Sequence, residues 1–247
     1  MGLSAKNVSL TLGGAQVLDG VSVEVRAGEV LAICGPNGAG KSTLLSVLAG
    51  LIRADFGAVL LDGLALDELT HEQRARLLGY LPQDGEIAWD LAVENLAALG
   101  RLPHRDRDMA AVTRALAKTD MTQFAKRPVS TLSGGEKARA LLARVLATQP
   151  RWLLADEPLA ALDLAHRLTI LALLRSEAAA GAGVAIVVHD LAQAMNHADQ
   201  VAVLSNGKLA ALGSPEAALT PALIAQVWGV SAQWLGEPGA RALVTRR

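Results

Sequence analysis

A glycine-rich loop follows a short, continuously apolar segment near the N-terminus of this chain. The segment covers residues 30–34 and reads Val-Leu-Ala-Ile-Cys. A run of this length without polar alternation predicts a strand buried on both faces, as in a parallel sheet. The loop consists of Gly35, Pro36, Asn37, Gly38, Ala39, Gly40, Lys41, Ser42 and Thr43. Because a helical pattern follows, this order predicts an α/β fold built on a strand–loop–helix unit.

The loop has the composition of a phosphate-binding element. Small residues let backbone N–H groups curl around an anion, and the following helix directs its positive end to the same place. Lys41 would add a cation for the outer phosphates of a nucleotide, and the Ser42 hydroxyl is a ligand type that Mg²⁺ prefers. The alternative is a chance glycine-rich turn, and the flanking strand and helix patterns argue against it.

Two further apolar runs also end in polar residues. Residues 152–155 lead into Asp156 and Glu157, and residues 184–188 lead into His189. Ligands of open α/β sheets bind beyond the carboxyl ends of the strands, so we expect these ends to meet at one edge. There, Asp156 would hold Mg²⁺ and Glu157 would polarise an attacking water. Taken alone, the acidic pair is more typical of the start of a surface loop.

Composition excludes several classes of protein. The chain has 247 residues, of which 51% are hydrophobic and 19% are charged, as in a packed globular protein. A formal net charge of -1 argues against a nucleic-acid binder held by phosphate charge alone. The single cysteine, Cys34, excludes an intrachain disulfide and a multi-cysteine zinc site. Without a signal peptide or a membrane span in the sequence, we expect a cytosolic protein that reaches a membrane by docking.

A second glycine pair opens another helical pattern. Leu132 is followed by Ser133, Gly134, Gly135 and Glu136, and apolar residues then recur with helical spacing over 138–146. Small residues at a helix N-terminus can bind an anion, although a serine N-cap with glycines is the simpler interpretation of this segment alone. Since one site rarely uses two such elements, the second would belong to a nucleotide held by a partner.

Together these segments resemble the ATP-binding subunit of an ABC transporter. The Walker A loop corresponds to 35–43, the end of Walker B to Asp156 and Glu157, and the signature to 132–136. The Q-loop, the D-loop and the switch histidine are matched by Leu81-Pro82-Gln83, by 157–163 and by His189.

The resemblance covers residues 3–215 and implies a P-loop NTPase core of the RecA-like type. An antiparallel β subdomain and a helical insertion would complete this α/β fold. We expect the core and β subdomain at 1–84 and 132–213, the helical subdomain at 85–131, and a short helical tail at 214–247.

The resemblance also implies the chemistry. ATP and Mg²⁺ would bind between two copies of the chain arranged head to tail, each ATP contacting 35–43 of one copy and 133–136 of the other. Glu157 would act as general base, His189 would contact the γ-phosphate region, and Gln83 would sense Mg²⁺ or the attacking water. Ser42, Gln83 and Asp156 would be the metal ligands.

Two positions depart from the family pattern. Leu12 occupies the place of an aromatic residue that usually stacks on adenine, so we expect weak or unselective base binding. Ala160 replaces the usual serine of the D-loop, which predicts weaker hydrogen bonding across the dimer.

Residues 93–104 resemble the helical region of ATPases that serve iron–siderophore, haem and cobalamin importers. The resemblance implies a peripheral protein on the cytoplasmic face of the inner membrane, with permease subunits docked near Gln83–Arg107. A substrate-binding protein would act only indirectly, and no nucleic acid is expected. Candidate docking residues there are Trp89, Arg101, His104, Arg105 and Arg107, with a solvated charged loop as the alternative. An ATPase of another transporter, including an exporter, and a soluble ABC ATPase such as one in cluster assembly remain open.

Overall fold

A computed structural model describes residues 1–83, 90–160 and 162–246. The following assignments refer to those ranges. The strands are β1 (Gly2–Leu12), β2 (Ala15–Arg26), β3 (Val30–Cys34), β4 (Phe56–Leu61), β5 (Leu64–Ala65), β6 (Leu78–Leu81), β7 (Trp152–Asp156), β8 (Gly183–Val187), β9 (Gln200–Ser205), β10 (Lys208–Gly213), β11 (Ser231–Leu235) and β12 (Ala242–Arg246). The α-helices are α1 (Lys41–Leu48), α2 (His71–Leu77), α3 (Val93–Ala98), α4 (Met109–Lys118), α5 (Gly134–Ala147), α6 (Leu164–Ala179), α7 (Leu191–His197), α8 (Pro215–Ala218) and α9 (Pro221–Trp228). Short 3₁₀ helices cover Leu66–Glu68, Leu99–His104, Thr122–Phe124 and Val129–Thr131.

A six-stranded sheet in the order β10-β9-β3-β8-β7-β6 carries the predicted apolar runs. Its strands are parallel except for β10, which pairs antiparallel with β9 at the edge. All residues of β3, β7 and β8 are buried. The predicted parallel sheet is therefore confirmed, and the carboxyl ends of β3, β7 and β8 meet at one edge.

A second, antiparallel sheet in the order β2-β1-β4-β5 packs over the first. β1 and β2 form an antiparallel hairpin, in which Leu12 pairs with Ala15 across the turn. Leu3 and Val21 of this sheet share a core with Leu44 of α1 and with Leu31 and Ile33 of β3. Because α1 belongs to this core, the loop that precedes it is held between the two sheets.

Helices occupy the chain between β6 and β7 in the part that the structure describes. α3 and α4 pack against α5, and apolar side chains such as Leu96, Val112 and Leu142 join the core on that face of the large sheet. Thr70 caps α2 and Ser133 caps α5, and each is the serine or threonine of a complete capping box. No helix within the described ranges is long and apolar enough to span a bilayer.

The C-terminal segment is not purely helical, so the expectation of a helical tail at 214–247 is wrong in its second half. α8 and α9 are followed by a hairpin of β11 and β12, in which Ser231 pairs with Arg246 and Trp234 with Leu243. The physical reason is alternation: the Trp234 and Leu243 side chains pack on the core while their neighbours face outward, as a strand requires.

The side chain of Asn196 on α7 fastens the hairpin. Its amide accepts from the backbone N–H of Arg241 and donates to the Arg241 carbonyl, both at 2.8 Å. On the opposite side, the indole N–H of Trp234 donates to the carbonyl of Leu219 at 2.7 Å. The C-terminal segment is thereby joined to the helix that begins two residues after His189.

Candidate functional site

The loop between β3 and α1 requires glycine at positions where the backbone passes close to other chain segments. A Cβ at Gly35 would lie 2.3 Å from the carbonyl oxygen of Leu204, and φ there is +152°. A Cβ at Gly40, where φ is +95°, would lie 2.7 Å from the carbonyl oxygen of Val17. The tight loop therefore depends on residues without side chains at both positions.

Lys41 lies across this loop with only 6% of its surface exposed. Its Nζ donates to the carbonyls of Gly35 at 3.0 Å and Pro36 at 2.9 Å. Burial lowers the pKa of Lys41, and the negative charges of Glu157 and Asp156 act in the opposite direction. The loop thus holds a cation beside the acidic strand end.

Asp156 is the last residue of β7, where it is 4% exposed. Its Oδ1 accepts from the hydroxyl of Ser42 at 2.9 Å, which joins the end of one strand to the first turn of α1. Burial raises the pKa of Asp156, while the Ser42 hydrogen bond lowers it.

The donor set at this strand end fits Mg²⁺. A hydroxyl oxygen and a carboxylate oxygen lie side by side, and Mg²⁺ is usually bound through one or two carboxylates together with phosphates and water. In the described ranges, no group of three or more His, Cys, Asp and Glu side chains could hold a metal ion.

Glu157 is held by hydrogen-bonding partners from two other segments. Nε2 of Gln83 donates to Oε2 at 3.0 Å, and Nε2 of His189 lies 2.5 Å from Oε1. The φ of Glu157 is +48°, an uncommon value for a residue with a side chain, and Pro158 follows it. Strained backbone of this kind clusters at functional sites because the surrounding structure must maintain it.

A cleft of about 630 Å³ lies at the edge of the large sheet, beside these residues. That volume lies within the roughly 300–1,000 Å³ range of small-molecule sites. The cleft is lined by Val17, Asn37, Gly38, Gly40, Lys41, Ser42, Thr43, Gln83, Glu157 and His189. Sequence reasoning missed Val17, because β2 contains several valines and the sequence does not show that this one faces the cleft while the others are buried. Leu12 lies beyond the lining residues and is 41% exposed.

Residues 133–136 do not line this cleft. Ser133 and Glu136 instead form reciprocal hydrogen bonds. The Glu136 carboxylate accepts from the Ser133 N–H at 2.7 Å, and Ser133 Oγ accepts from the Glu136 N–H at 3.3 Å. The Ser133 N–H lowers the pKa of Glu136. The structure therefore brings Gln83, Glu157 and His189 to the loop of one chain and leaves the second glycine pair elsewhere.

Two of the proposed docking residues are used within the fold. Arg101 is 5% exposed, and its guanidinium pairs with Asp106 at 2.6 Å and donates to the Ala147 carbonyl at 2.9 Å. Its hydrogen bonds hold the pKa of Asp106 well below the usual range. Nε2 of His104 lies 2.9 Å from the carbonyl oxygen of Thr148.

The remaining cationic candidates stay at the surface, since Arg105 and Arg107 are exposed and Arg105 pairs with Glu72. Trp89, and Ala161 of the 157–163 loop, lie outside the described residues.

Cys34 has no role in this chemistry. It is fully buried and unpaired by any disulfide. Burial raises the pKa of its thiol to about 12, so the thiolate required of a nucleophile is absent at neutral pH.

Known proteins are similar to this chain in both sequence and structure. A family model described as ABC transporter matches residues 18–160. The hemin import ATP-binding protein HmuV of Streptomyces coelicolor is 45% identical over 246 residues, which cover 98% of this chain and 88% of that protein. HmuV of Rhodococcus jostii is 42% identical, with coverage of 99% and 86%.

Solved structures give the same result for the fold. An ABC transporter in an inward-facing conformation aligns with a TM-score of 0.85 at 25% identity, covering 100% of this chain and 98% of that one. The ATP binding subunit of another ABC transporter aligns with a TM-score of 0.79 at 27% identity, covering 87% and 90%.

Proposed function

The chain belongs to the ABC transporter family of ATP-binding proteins, and we propose that the transport it powers is the import of haem or a related iron chelate. It is an ATPase subunit of the ABC type. The observation that carries the substrate class is similarity over almost the whole chain to proteins named for hemin import, at 40–45% identity. The solved transporter that aligns over the full chain is itself assigned to the metal-chelate type.

Two other functions, that of an exporter ATPase and that of a soluble ATPase, have less support than haem import. An Atm1-family exporter aligns with a TM-score of 0.79, but only over 41% of its chain, and it reflects the shared ATPase fold. A soluble role in cluster assembly has no counterpart among the relatives described above.

We assign the phosphates of ATP to the loop of residues 35–43. The backbone N–H groups and the N-terminus of α1 would face the phosphates, and the buried ammonium of Lys41 would neutralise their outer charge. Ser42 and Asp156 would hold Mg²⁺, with Gln83 at its edge. When bound, the ion would offset the charge that develops on the transferred phosphoryl group.

Glu157 is proposed as the general base. Each carboxylate oxygen has two lone pairs, so Glu157 can receive a proton from water while Gln83 and His189 hold it in place. The two partners fix the carboxylate against rotation, which is the positioning that phosphoryl transfer needs. His189, which lines the cleft, would contact the γ-phosphate region.

Residues 133–136 support a dimer proposal because they lie outside the cleft that contains residues 35–43. A second copy arranged head to tail would bring Ser133, Gly134, Gly135 and Glu136 of one chain to the nucleotide of the other. We therefore propose a homodimer on the cytoplasmic face of the inner membrane. In each chain, the single ATPase domain, residues 1–215, would dock permease subunits near Gln83–Arg107. This region includes part of the proposed helical subdomain at 85–131, and a substrate-binding protein would act only indirectly.

Recovery of the partner proteins tests the transport role. Tagged Glu157→Gln would be isolated from native membranes in mild detergent with ATP and Mg²⁺, and its partners identified by mass spectrometry and by the absorbance of bound haem. Lys41→Ala serves as the matched control, since it should not form the ATP-dependent complex. Recovery of a permease with many membrane spans that binds haem is the expected result. Recovery of soluble partners alone would contradict the transport role and leave the ATPase chemistry intact.

A further inference from the structure

The imidazole of His166 lies against Gly135, the second glycine of the pair at the start of α5. A Cβ built on Gly135 would lie 3.3 Å from both Cγ and Nδ1 of His166 and 3.4 Å from its Cδ2. At Gly134, a Cβ would meet nothing within 4 Å. One glycine of the pair is therefore confined by a side chain of its own chain, and its neighbour is not.

Asp163 fixes the orientation of this imidazole. It is the N-cap of α6, and its Oδ1 accepts from the backbone N–H of His166 at 2.9 Å. The same oxygen lies 2.8 Å from Nδ1 of the His166 ring. These contacts lower the pKa of Asp163. The ring cannot swing away from Gly135 without giving up its hydrogen bond to the helix cap.

The N-termini of two helices meet at this contact. α5 begins after the Ser133 cap, and α6 begins after the Asp163 cap. The loop that leads into α6 starts at Glu157, whose carbonyl accepts from the Ala160 N–H at 3.0 Å. His166 is thus the place where the segment that carries the general base touches the segment that would reach the nucleotide of a second copy.

We propose that His166 is a positioning residue for ATP hydrolysis, whose imidazole sets the backbone of Gly135, and with it the first turn of α5, relative to the loop that carries Glu157. The inference rests on the proposed roles of Glu157 and of residues 133–136. His166 itself touches neither nucleotide nor reacting water; it acts through Gly135. Misplacement of a catalytic segment by about 1 Å can cost about 100-fold in rate, so a contact of this kind can influence turnover.

A double-mutant cycle between the two residues tests this role. The purified chain would be compared as wild type, Gly135→Ala, His166→Ala and the double variant, with kcat and KM for ATP measured for each. In the wild-type background, we expect Gly135→Ala to lower kcat by about 10-fold or more, because the new methyl group must displace the ring. In the His166→Ala background the same substitution should cost much less, since the obstacle is gone.

Equal losses from Gly135→Ala in both backgrounds would overturn the proposal, because the glycine would then be required by something other than the ring. The matched control is Gly134→Ala, whose effect should be the same in both backgrounds. His166→Asn, which retains a donor for Asp163, should keep more of the kcat than His166→Ala. Full loss of kcat with His166→Asn and none with His166→Ala would contradict the proposal.

Unfolding midpoints of the nucleotide-free variants provide a second measurement. Gly135→Ala should lower the unfolding midpoint less in the His166→Ala background than in the wild-type background. This measurement therefore reports on the contact even for a variant without measurable turnover. A transported substrate other than haem would leave the cycle unchanged. If Gly135→Ala lowered kcat equally with and without the His166 side chain, the positioning role of His166 would be rejected, even if the protein proved to import haem.

Discussion

Nε2 of His189 lies 2.5 Å from Oε1 of Glu157. A carboxylate only accepts hydrogen bonds, so Nε2 must carry the proton in this contact. The other oxygen of Glu157 accepts from Gln83, which lies 74 positions away in the sequence. Glu157, the proposed general base, is thus held from both sides by residues that reach it from separate strand ends, so its orientation depends on the whole edge of the sheet.

Glu157→Gln should separate binding from hydrolysis. The amide has nearly the shape of the carboxylate but cannot accept a proton from water, so we expect kcat to fall by about 10²–10⁴-fold. Affinity for ATP should change little, because Lys41 and the loop are untouched. Turnover and nucleotide binding by the purified variant check this, with Glu24→Gln on the exposed surface of β2 as control. A normal kcat would remove Glu157 from the role of base.

Lys41→Ala should weaken the binding of ATP. The substitution removes a buried cation that bridges the carbonyls of Gly35 and Pro36, and it leaves Asp156 and Glu157 without a neutralising charge. We expect affinity for ATP to fall by at least about 10-fold, since a charged hydrogen bond contributes about 1.5–3 kcal/mol. Calorimetric titration measures this, and Lys208→Ala, at the exposed pair with Asp19, is the matched control. Equal affinity in the two variants would contradict the assignment.

Asp156→Asn should stabilise the chain without nucleotide and remove its response to Mg²⁺. Burial raises the pKa of Asp156 above 3.8, so the ionised side chain costs stability in the folded state. The cost is absent below pH 3.8 and complete once the pH exceeds the raised pKa of the folded state. The amide can still accept from Ser42, so the substitution isolates the charge.

Urea unfolding of wild type and Asp156→Asn at several pH values measures this difference. The variant should be the more stable protein at pH 7, and its advantage should shrink as the pH falls. Addition of Mg²⁺ and ATP should stabilise wild type more than the variant. A variant less stable than wild type at pH 7 without nucleotide would contradict the argument.

Leu12→Tyr should strengthen the binding of purine nucleotides. The described residues that line the cleft include no aromatic side chain, and Leu12 stands exposed at the turn of the β1–β2 hairpin. Wild type should bind ATP and GTP with comparable affinity. A ring at this position can contribute about 1–3 kcal/mol by stacking, which corresponds to about 5-fold to 150-fold in affinity. Competition binding with both nucleotides tests the prediction, and strong preference of wild type for ATP would contradict it.

The large sheet could be predicted because its strands are short and buried on both faces. Residues 30–34, 152–155 and 184–188 are apolar without alternation; the first run leads into the glycine-rich loop, and the other two lead into polar residues. The capping boxes of α2 and α5 follow from the same kind of local pattern, since Thr70 and Ser133 are followed three residues later by Gln73 and Glu136.

Three features could not be predicted, because they depend on tertiary contacts that the spacing of residues in the sequence does not show. The first is the hairpin of β11 and β12, whose strands are short and have exposed outer faces. Because the few apolar residues in these strands also fit one face of a helix, their pattern does not distinguish a strand from a helix. The positive φ of Glu157 is a tertiary constraint, because the residue type and the following proline both disfavour it. The contact between His166 and Gly135 likewise forms only when α5 and α6 pack together.

Transport by the reconstituted complex tests the central claim most directly. The chain, with the permease recovered by Glu157→Gln, would be placed in liposomes with ATP and Mg²⁺ on the side of the ATPase, and haem accumulation would be measured by absorbance. The expected result is haem accumulation that requires ATP with wild type and is lost with Glu157→Gln. Equal haem movement with both proteins, or ATP turnover that drives no haem accumulation, would contradict the account.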